Sequence, residues 1–577
     1  MATREAFVTY LHDDPKSFAA DALRGFSLAY SRFVRHAPGG VLRATPTPAG
    51  KVALVIGGGS GHYPAFAGYV GAGLADAAVA GDIFASPSTR GVARIARLAN
   101  RGGGVLLGFG NYAGDVLNFG AAAQRLVAEG IDARILPVTD DVASAPAQTP
   151  SLRRGVAGDI FVFKIAGAAA EAGKTIDEVE RLARLANART ISFGVAFRGC
   201  TLPGAREPLF VVPDGQMGIG LGIHGEPGIS EEPIVSARAL AKILVARLAS
   251  EKPADASGRV AVMLNGLGAT KYEELFALWL GIESELKARG LTIVAPEVGE
   301  FVTSLDMAGC SLTLSWLDQG LEDLWLAPTA CAAFRRDGEV HRDAAPAIED
   351  ADAEAQIAPS TSKPSQESGR CIAAALSAVA KAMREAEAEL GRLDAHAGDG
   401  DHGHGMSRGS AAASAAADRA VAAGAGAATV LALAADAWGD RAGGASGALW
   451  GVALRAWSGA FSDSRPATSA DIAKGAAAAR DAIADLGGAR IGDKTLFDAL
   501  DPFARTLGRE VADGRPLAEA WRLAAEAAHR AALETAPLSP KLGRARPLAA
   551  RSVGHPDAGA TSLAICARAV GEVLSKS

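Results

Sequence analysis

Three carboxylates, Asp394, Asp399 and Asp401, fall within eight residues of one another, spaced by glycines and with no Lys or Arg before Arg408. Ionised carboxylates this close repel each other, so a cation is expected among them. Mg²⁺ takes oxygen ligands and commonly shares them with substrate phosphates. The intervening glycines let the backbone turn sharply and bring N–H groups up to an anion. The chemistry this pattern points to is a Mg²⁺ site presenting a nucleoside triphosphate. The same residues also read as a solvated Asp/Gly turn, or as a Zn²⁺ site through His402 and His404, although no cysteine lies near enough to complete a tetrahedron.

Three further stretches carry reactive side chains. Val52–Ile56 is a short, β-branched apolar run ending in Gly57-Gly58-Gly59-Ser60-Gly61-His62. A buried strand running into a glycine-rich loop is a common ligand site of α/β folds. The spacing is not that of a dinucleotide fingerprint. Ser60 and His62 could hydrogen-bond a small polar ligand there. The second stretch, Gly110-Asn111-Tyr112-Ala113-Gly114-Asp115, places Asp115 before a helical pattern beginning near Val116, where it reads as an N-cap or as a catalytic carboxylate. The third is Gly220–Gly228, which sets His224 among glycines, open to close approach by a small molecule.

The elements needed to position these groups follow from periodicity. Strands are expected at 52–56, 104–108, 133–138, 160–165, 260–264 and 311–316, with helices such as 93–100 and 121–129 between them, which implies parallel βαβ units. A second α/β unit starts near residue 190. Residues 343–367 are Ala, Asp, Glu, Pro, Ser and Thr with almost no large apolar side chain, a flexible linker by composition. A coil of that length spans roughly 25–30 Å. Beyond Cys371 the strand signals vanish and Ala-rich helical patterns take over. The expected organisation is an α/β region over 1–342, with subdomains at about 1–187 and 188–342, the linker at 343–367, and an all-α domain of six to nine helices over 368–577. Glycine-rich turns at 443–447, 492–498 and 554–559, with the Asp cluster, lie in the loops of that helical domain and can hold phosphates at helix N-termini.

Length and composition agree with this division. A chain of 577 residues is too long for one core. With 49% hydrophobic and 21% charged residues it fits an ordinary globular protein, and the Ala-rich run near 411–437 carries Asp418, Arg419 and Asp436, which excludes a membrane span. A net charge of −6 gives no electrostatic reason to expect nucleic acid or an anionic membrane as partner. Five scattered cysteines argue against a disulfide framework and for a reducing compartment. The first residues lack the apolar core of a signal peptide, so a cytoplasmic protein is expected.

Taken together, Gly-Gly-Gly-Ser-Gly-His, Asn-Tyr-Ala-Gly-Asp, Gly-Ile-His-Gly-Glu-Pro-Gly, Gly-Asp-Gly-Asp-His-Gly, Gly-Gly-Ala-Ser-Gly and Gly-His-Pro-Asp resemble, in order, the motifs of the ATP-dependent dihydroxyacetone kinase family. The resemblance covers nearly the whole chain apart from the linker. It implies a ketose-binding α/β domain followed by an antiparallel helical barrel with the nucleotide at one rim. It implies that His224 forms a covalent hemiaminal with the substrate carbonyl, that His62 and Asp115 are the acid/base residues, and that Gly59, Ser60 and Gly61 form the substrate loop. Asp394, Asp399 and Asp401 match the Mg²⁺ ligands. Asp401, His402, Gly403, His404, Ala445, Ser446, Lys494, Thr495, His555, Pro556 and Asp557 fall where the family holds ATP. A homodimer is also implied.

Two positions depart from the family pattern. Tyr63 stands where Gly-His-Glu-Pro is common, and Gly110 stands where a Lys commonly precedes Asn-Tyr. Loss of that Lys would remove a donor and make room, so the expected substrate is a larger ketose: erythrulose first, then dihydroxyacetone, then a branched ketose such as apulose. The rivals are a phosphotransferase subunit fed by a carrier protein, a ketose-sensing regulator, and a metal-dependent FAD cyclase side activity.

Overall fold

Alternating apolar side chains build the first sheet. Leu54 and Ile56 point to one face of a strand while Ala53 and Val55 point to the other, and Leu106 opposes Val105 and Leu107 in the same way. The computed structural model describes residues 9, 11–337, 361–396, 398, 400–442, 444–542 and 549–576, and the chain divides into two units, Met1–Ala345 and Pro346–Ser577.

In the first unit, β1 (Val34–Ala37), β2 (Gly40–Arg43), β3 (Ala53–Ser60), β5 (Ala77–Ile83), β6 (Val105–Gly110) and β7 (Ala133–Val138) form a sheet of order β1-β2-β5-β3-β6-β7. The last four strands are parallel, and β1 and β2 are an antiparallel edge. Helices α2 (Thr89–Ala99) and α3 (Ala113–Ala128) cover one face through Val92, Ile95, Phe119 and Leu126. The second sheet has order β10-β9-β8-β13-β11-β12, formed by β8 (Thr190–Arg198), β9 (Gln216–Ile219), β10 (Ser230–Pro233), β11 (Arg259–Gly266), β12 (Thr292–Gly299) and β13 (Ala308–Trp316). Only β11 and β12 pair in parallel there, so the second half is a mixed sheet and not a run of βαβ units.

The two halves are not independent. Ala261 and Met263 of β11 share a core cluster with Leu54, Ile56 and Leu106 of the first sheet. Near its end the unit returns: β14 (Thr329–Cys331) pairs with β4 (Gly71–Ala72) beside the first sheet. A subdomain boundary at 187/188 is therefore crossed by both the core and the chain.

The expected strand at 160–165 is a helix. α4 (Asp159–Glu171) is buried at every position from Asp159 to Ala170, in the core shared by both sheets. A helix that is apolar all round has no polar face to reveal its period, so its β-branched start reads as a buried strand. The continuation Ala166-Gly167-Ala168-Ala169-Ala170 was the signal that helix propensity prevails. Strand β3 likewise runs through the glycines to Ser60 and does not stop at Ile56.

The second unit is helical throughout its described residues: α9 (Lys363–Asp394), α10 (His402–Ala422), α11 (Ala427–Ala442), α12 (Gly444–Ser458), α13 (Ser469–Gly487), α14 (Phe497–Ala512), α15 (Leu517–Glu534), the short α16 (Ala549–Ser552) and α17 (Ala558–Leu574). Each long helix packs against its chain neighbours, and α17 closes onto α9, giving a barrel. The first helix begins at Lys363, ahead of the expected boundary at 368, because Ser362 caps it and Pro364 sits in its first turn. Residues 343–360 of the expected linker lie outside the described residues. No helix among the described residues is long and apolar enough to cross a membrane.

Candidate active site

The parallel strands of the first sheet end on one rim, where loops of an α/β sheet bind ligands. β3 delivers Gly59, Ser60, Gly61 and His62 to it. A side chain at Gly59 would meet the backbone of Phe84 and Ala85 at 2.8–2.9 Å, and Gly61 has φ +101°, so both positions require glycine. The Ser60 hydroxyl donates to Gly81 O at 2.7 Å. His62 is 3% exposed, stacks on Phe84, and donates from Nδ1 to Thr303 O at 2.7 Å.

His224 arrives from the loop after β9, pinned by the Ser304 hydroxyl on Ile223 O. Its Nε2 lies 3.0 Å from His62 Nε2. Its Nδ1 lies 2.9 Å from Glu226 Oε1, and its backbone N–H donates to Glu226 Oε2 at 3.0 Å. Phe84 and Tyr112 stand edge-on to the imidazole at 5.0 and 4.8 Å. With 22% of its side chain exposed, His224 is walled on three sides and open to solvent.

Burial, joined by the facing His224, pushes the His62 imidazole down to about 3. Burial alone would push the Glu226 carboxyl up, but the hydrogen bond and charge of His224 outweigh it and hold the group down at about 2. These directions fix the protons. His62 carries its proton on the nitrogen facing a carbonyl and presents a lone pair at Nε2. His224 carries one on the nitrogen facing a carboxylate. The two Nε2 atoms face each other at 3.0 Å.

Asp115 lies in the first turn of α3, which starts at Ala113 with Tyr112 at the cap position; Asp115 is therefore not the N-cap. It is buried, burial raises its pKa, and its Oδ1 has no hydrogen-bond partner among the described residues.

The two departures from the family pattern sit differently from expectation. The Tyr63 ring packs on Phe26 of α1 (Phe18–Ala29), so its side chain leans toward that helix. Gly110 does not open space directly above it, because a Cβ there would lie 3.2 Å from Gly155 O and 3.3 Å from the Tyr112 ring.

In the helical unit, one cavity of about 690 Å³ is lined by Asp394, Asp401, His402, His404, Ala445, Ser446, Lys494, Thr495, His555, Pro556 and Asp557; Gly403 is not among its lining and packs against the backbone of Glu387. Asp399 lies outside the described residues. Asp394 and Asp401 both act on His402, whose pKa burial lowers and these two carboxylates raise. Asp394 accepts from Gly400 N at 2.9 Å, and a side chain at Gly398 would come within 2.7 Å of Asp394 Oδ1. A hard oxygen donor set with space kept clear beside it fits Mg²⁺. The histidines do not form a Zn²⁺ pair: His402 bonds Ser446 and Ser562, while His404 turns to Glu387. Lys494 Nζ donates to Ala536 O, Leu538 O and Ser552 O, so this ammonium ties the loop together. Arg408 also lines the cavity, and Glu226, Thr303 and Phe84 complete the histidine site; the sequence reading assigned none of these four a role, although Glu226 lies in the His224 motif.

A Dak1 domain matches residues 24–333 and a DAK2 domain matches residues 396–572. The chain belongs to the dihydroxyacetone kinase family. It is 53% identical over 575 residues to a D-erythrulose kinase of Mycolicibacterium smegmatis, covering 99% of each chain. It is 52% identical over 572 residues to an L-erythrulose kinase of Pectobacterium atrosepticum, covering 98% of this chain and 97% of that one. Among solved structures it resembles the dihydroxyacetone kinase from C. freundii in complex with AMP-PNP and Mg²⁺, at 28% identity and TM-score 0.60, covering 98% of this chain and 100% of that one. As a member of this family, the protein is an ATP-dependent carbohydrate kinase acting on a ketose.

Proposed function

We propose that the enzyme phosphorylates a terminal hydroxyl of erythrulose, holding the ketone covalently on His224 while ATP and Mg²⁺ are held by the helical unit. The observation that carries the covalent step is the 3.0 Å contact between His62 Nε2 and His224 Nε2, with Glu226 on the other ring nitrogen of His224. When a carbonyl enters, His224 Nε2 adds to its carbon and the C=O π bond breaks. In this reading one proton is shared between the two imidazoles, and it passes to the oxygen. The product is a neutral hydroxyl on carbon, an imidazolium paired with Glu226, and a neutral His62, so atoms and charge balance without outside acid. A polyol such as glycerol has no carbonyl and is not captured. Asp115, buried and raised, serves as the base that accepts the proton of the attacking hydroxyl.

In the second unit Asp394, Asp399 and Asp401 would hold Mg²⁺, which neutralises phosphate charge when bound. The first turn of α12 at Ser446, the loop at Thr495 and the N-terminus of α17 would cradle the triphosphate through backbone N–H groups. Erythrulose is favoured over dihydroxyacetone by three relatives above 50% identity, all erythrulose kinases. Both family domains in one chain favour free ATP over a phosphoryl carrier protein. A homodimer and a cytoplasmic location complete the reading; light scattering tests the first.

The deciding experiment is kcat/KM for D-erythrulose, L-erythrulose and dihydroxyacetone with ATP and Mg²⁺, for wild type and His224→Ala. Wild type should prefer an erythrulose enantiomer. His224→Ala should lose at least about a thousandfold in turnover and lose the hemiaminal carbon signal from ¹³C-labelled ketone, while still binding AMP-PNP. Near-normal turnover in the variant rejects the covalent anchor.

A further inference from the structure

Glu226 holds His224, and a cation from a different part of the chain holds Glu226. The Glu226 side chain is 28% exposed, so without a second partner its carboxylate could turn to water. Arg154 supplies that partner, with Nη1 3.7 Å from Glu226 Oε2. A Cβ at Gly222 would collide with Glu226 Oε2 and lie 2.6 Å from Arg154 Nη1. Guanidinium and carboxylate therefore meet in space that only a glycine leaves clear. Nη2 of the same guanidinium lies 3.5 Å from Gly220 O, at the start of the His224 loop.

Arg154 is itself fixed. Two of its nitrogens converge on Asp141 Oδ2, Nε at 3.0 Å and Nη2 at 2.8 Å, and the two side chains are 14% and 7% exposed. Their backbones are also tied: Asp141 N donates to Arg154 O at 3.0 Å, and Arg154 N donates to Ser144 Oγ at 2.9 Å. The neighbouring Arg153 turns away to Glu251 at 2.6 Å, so of this arginine pair only Arg154 reaches the His224 loop. The order Asp141, Arg154, Glu226, His224 bears on the covalent step. An imidazole adds to a ketone through a nitrogen lone pair, and an imidazolium has none. Around the ring stand His62 from the end of β3, Tyr112 and Asp115 from the start of α3, and Glu226 from its own loop. A carboxylate against the ring favours imidazolium, and a guanidinium against that carboxylate offsets the pull.

We propose that Arg154, oriented by Asp141, is a positioning residue for ketone capture: it holds the Glu226 carboxylate on His224 Nδ1 and offsets its charge, so that His224 Nε2 keeps the lone pair that adds to the carbonyl. This rests on the covalent reading of His224. The bonds are those of that step: a C–N bond forms, the C=O π bond breaks, and the oxygen takes the proton shared by the imidazoles. Arg154 touches neither the ketone nor the reacting nitrogen and acts through Glu226. Its planar guanidinium reaches Asp141 with two nitrogens and Glu226 with a third, which the single ammonium of a lysine does not reproduce.

The test follows the hemiaminal carbon signal of erythrulose ¹³C-labelled at its carbonyl, without ATP, across pH, in the full-length wild type, Arg154→Met and Arg154→Lys. Methionine removes the charge: capture at neutral pH should fall at least about tenfold, as when an orienting partner is lost. The acid midpoint of capture should also move to higher pH by at least about half a unit, because the Glu226 charge is no longer offset. Lysine keeps the charge and should return most of the midpoint, while KM for ATP stays unchanged in both variants. Should the methionine variant fail to fold, a double-mutant cycle takes its place: Arg154→Lys should lower capture at least about threefold alone and have no further effect in Glu226→Gln. Capture that falls evenly at every pH with its midpoint unmoved, or two substitutions whose effects simply multiply, overturns the proposal and leaves Arg154 a structural residue. Wild-type enzyme without a hemiaminal signal would instead remove the covalent reading itself, an outcome visible before any variant is made.

Discussion

Glu226 grips His224 twice, taking its backbone N–H at 3.0 Å and its Nδ1 at 2.9 Å with the two oxygens of one carboxylate. That double contact fixes both the position of the loop and the tautomer of the ring, leaving Nε2 as the nitrogen that faces the pocket. Glu226→Gln keeps the shape and loses the charge that balances an imidazolium. It should lower ketose kcat/KM by about 10–100-fold, the range set by loss of an orienting hydrogen-bond partner, with KM for ATP unchanged. Steady-state kinetics checks this, and the ¹³C hemiaminal signal should weaken in proportion.

Asp115 must be ionised to accept a proton, and burial favours its neutral form. The sign follows: more alkaline solution is needed to ionise it than for an exposed aspartate. The acid limb of the kcat–pH profile should therefore have its midpoint above 3.8, the ordinary value for the side chain. Asp115→Asn should remove that limb along with most of kcat, while ketone capture on His224 persists. A profile with the same acid limb in the asparagine variant would assign the titration to another group.

Removing a carboxylate from the acidic cluster should separate the two halves of the reaction. Asp394→Ala and Asp401→Ala should weaken Mg²⁺-dependent nucleotide binding by at least about a hundredfold, while the ketone adduct still forms. Calorimetry with AMP-PNP in Mg²⁺ and in EDTA reads the first effect; NMR of the labelled ketone reads the second.

Lys494 is 4% exposed, has φ +60°, and donates to three carbonyls. Lys494→Met removes all three donors and should destabilise the helical unit by about 2–3 kcal/mol, the cost of leaving buried acceptors unsatisfied. Differential scanning calorimetry should show the lower-melting transition, with nucleotide affinity falling and ketone capture unaffected.

Much of this protein is legible in the chain alone. Short apolar runs ending in glycine locate β3 and β6, because a strand buried on both faces needs apolar side chains throughout and a ligand loop needs close backbone approach. Alanine periodicity marks the second half as helical. Close spacing along the chain is enough to mark the Asp394–Asp401 cluster as a candidate cation site. What sequence could not decide is whatever depends on a partner distant in the chain. α4 looked like a strand because a helix surrounded by core shows no polar face. The contact between His62 and His224 exists only because residues 162 positions apart bring their Nε2 atoms to 3.0 Å. The space expected at Gly110 is closed by Gly155 and Tyr112. Asp159 is an unremarkable acid in the sequence, and only folding buries it with an oxygen unmatched among the described residues. Local preference is set by neighbours along the chain, whereas protonation, open volume and unsatisfied polar atoms are set by neighbours in space.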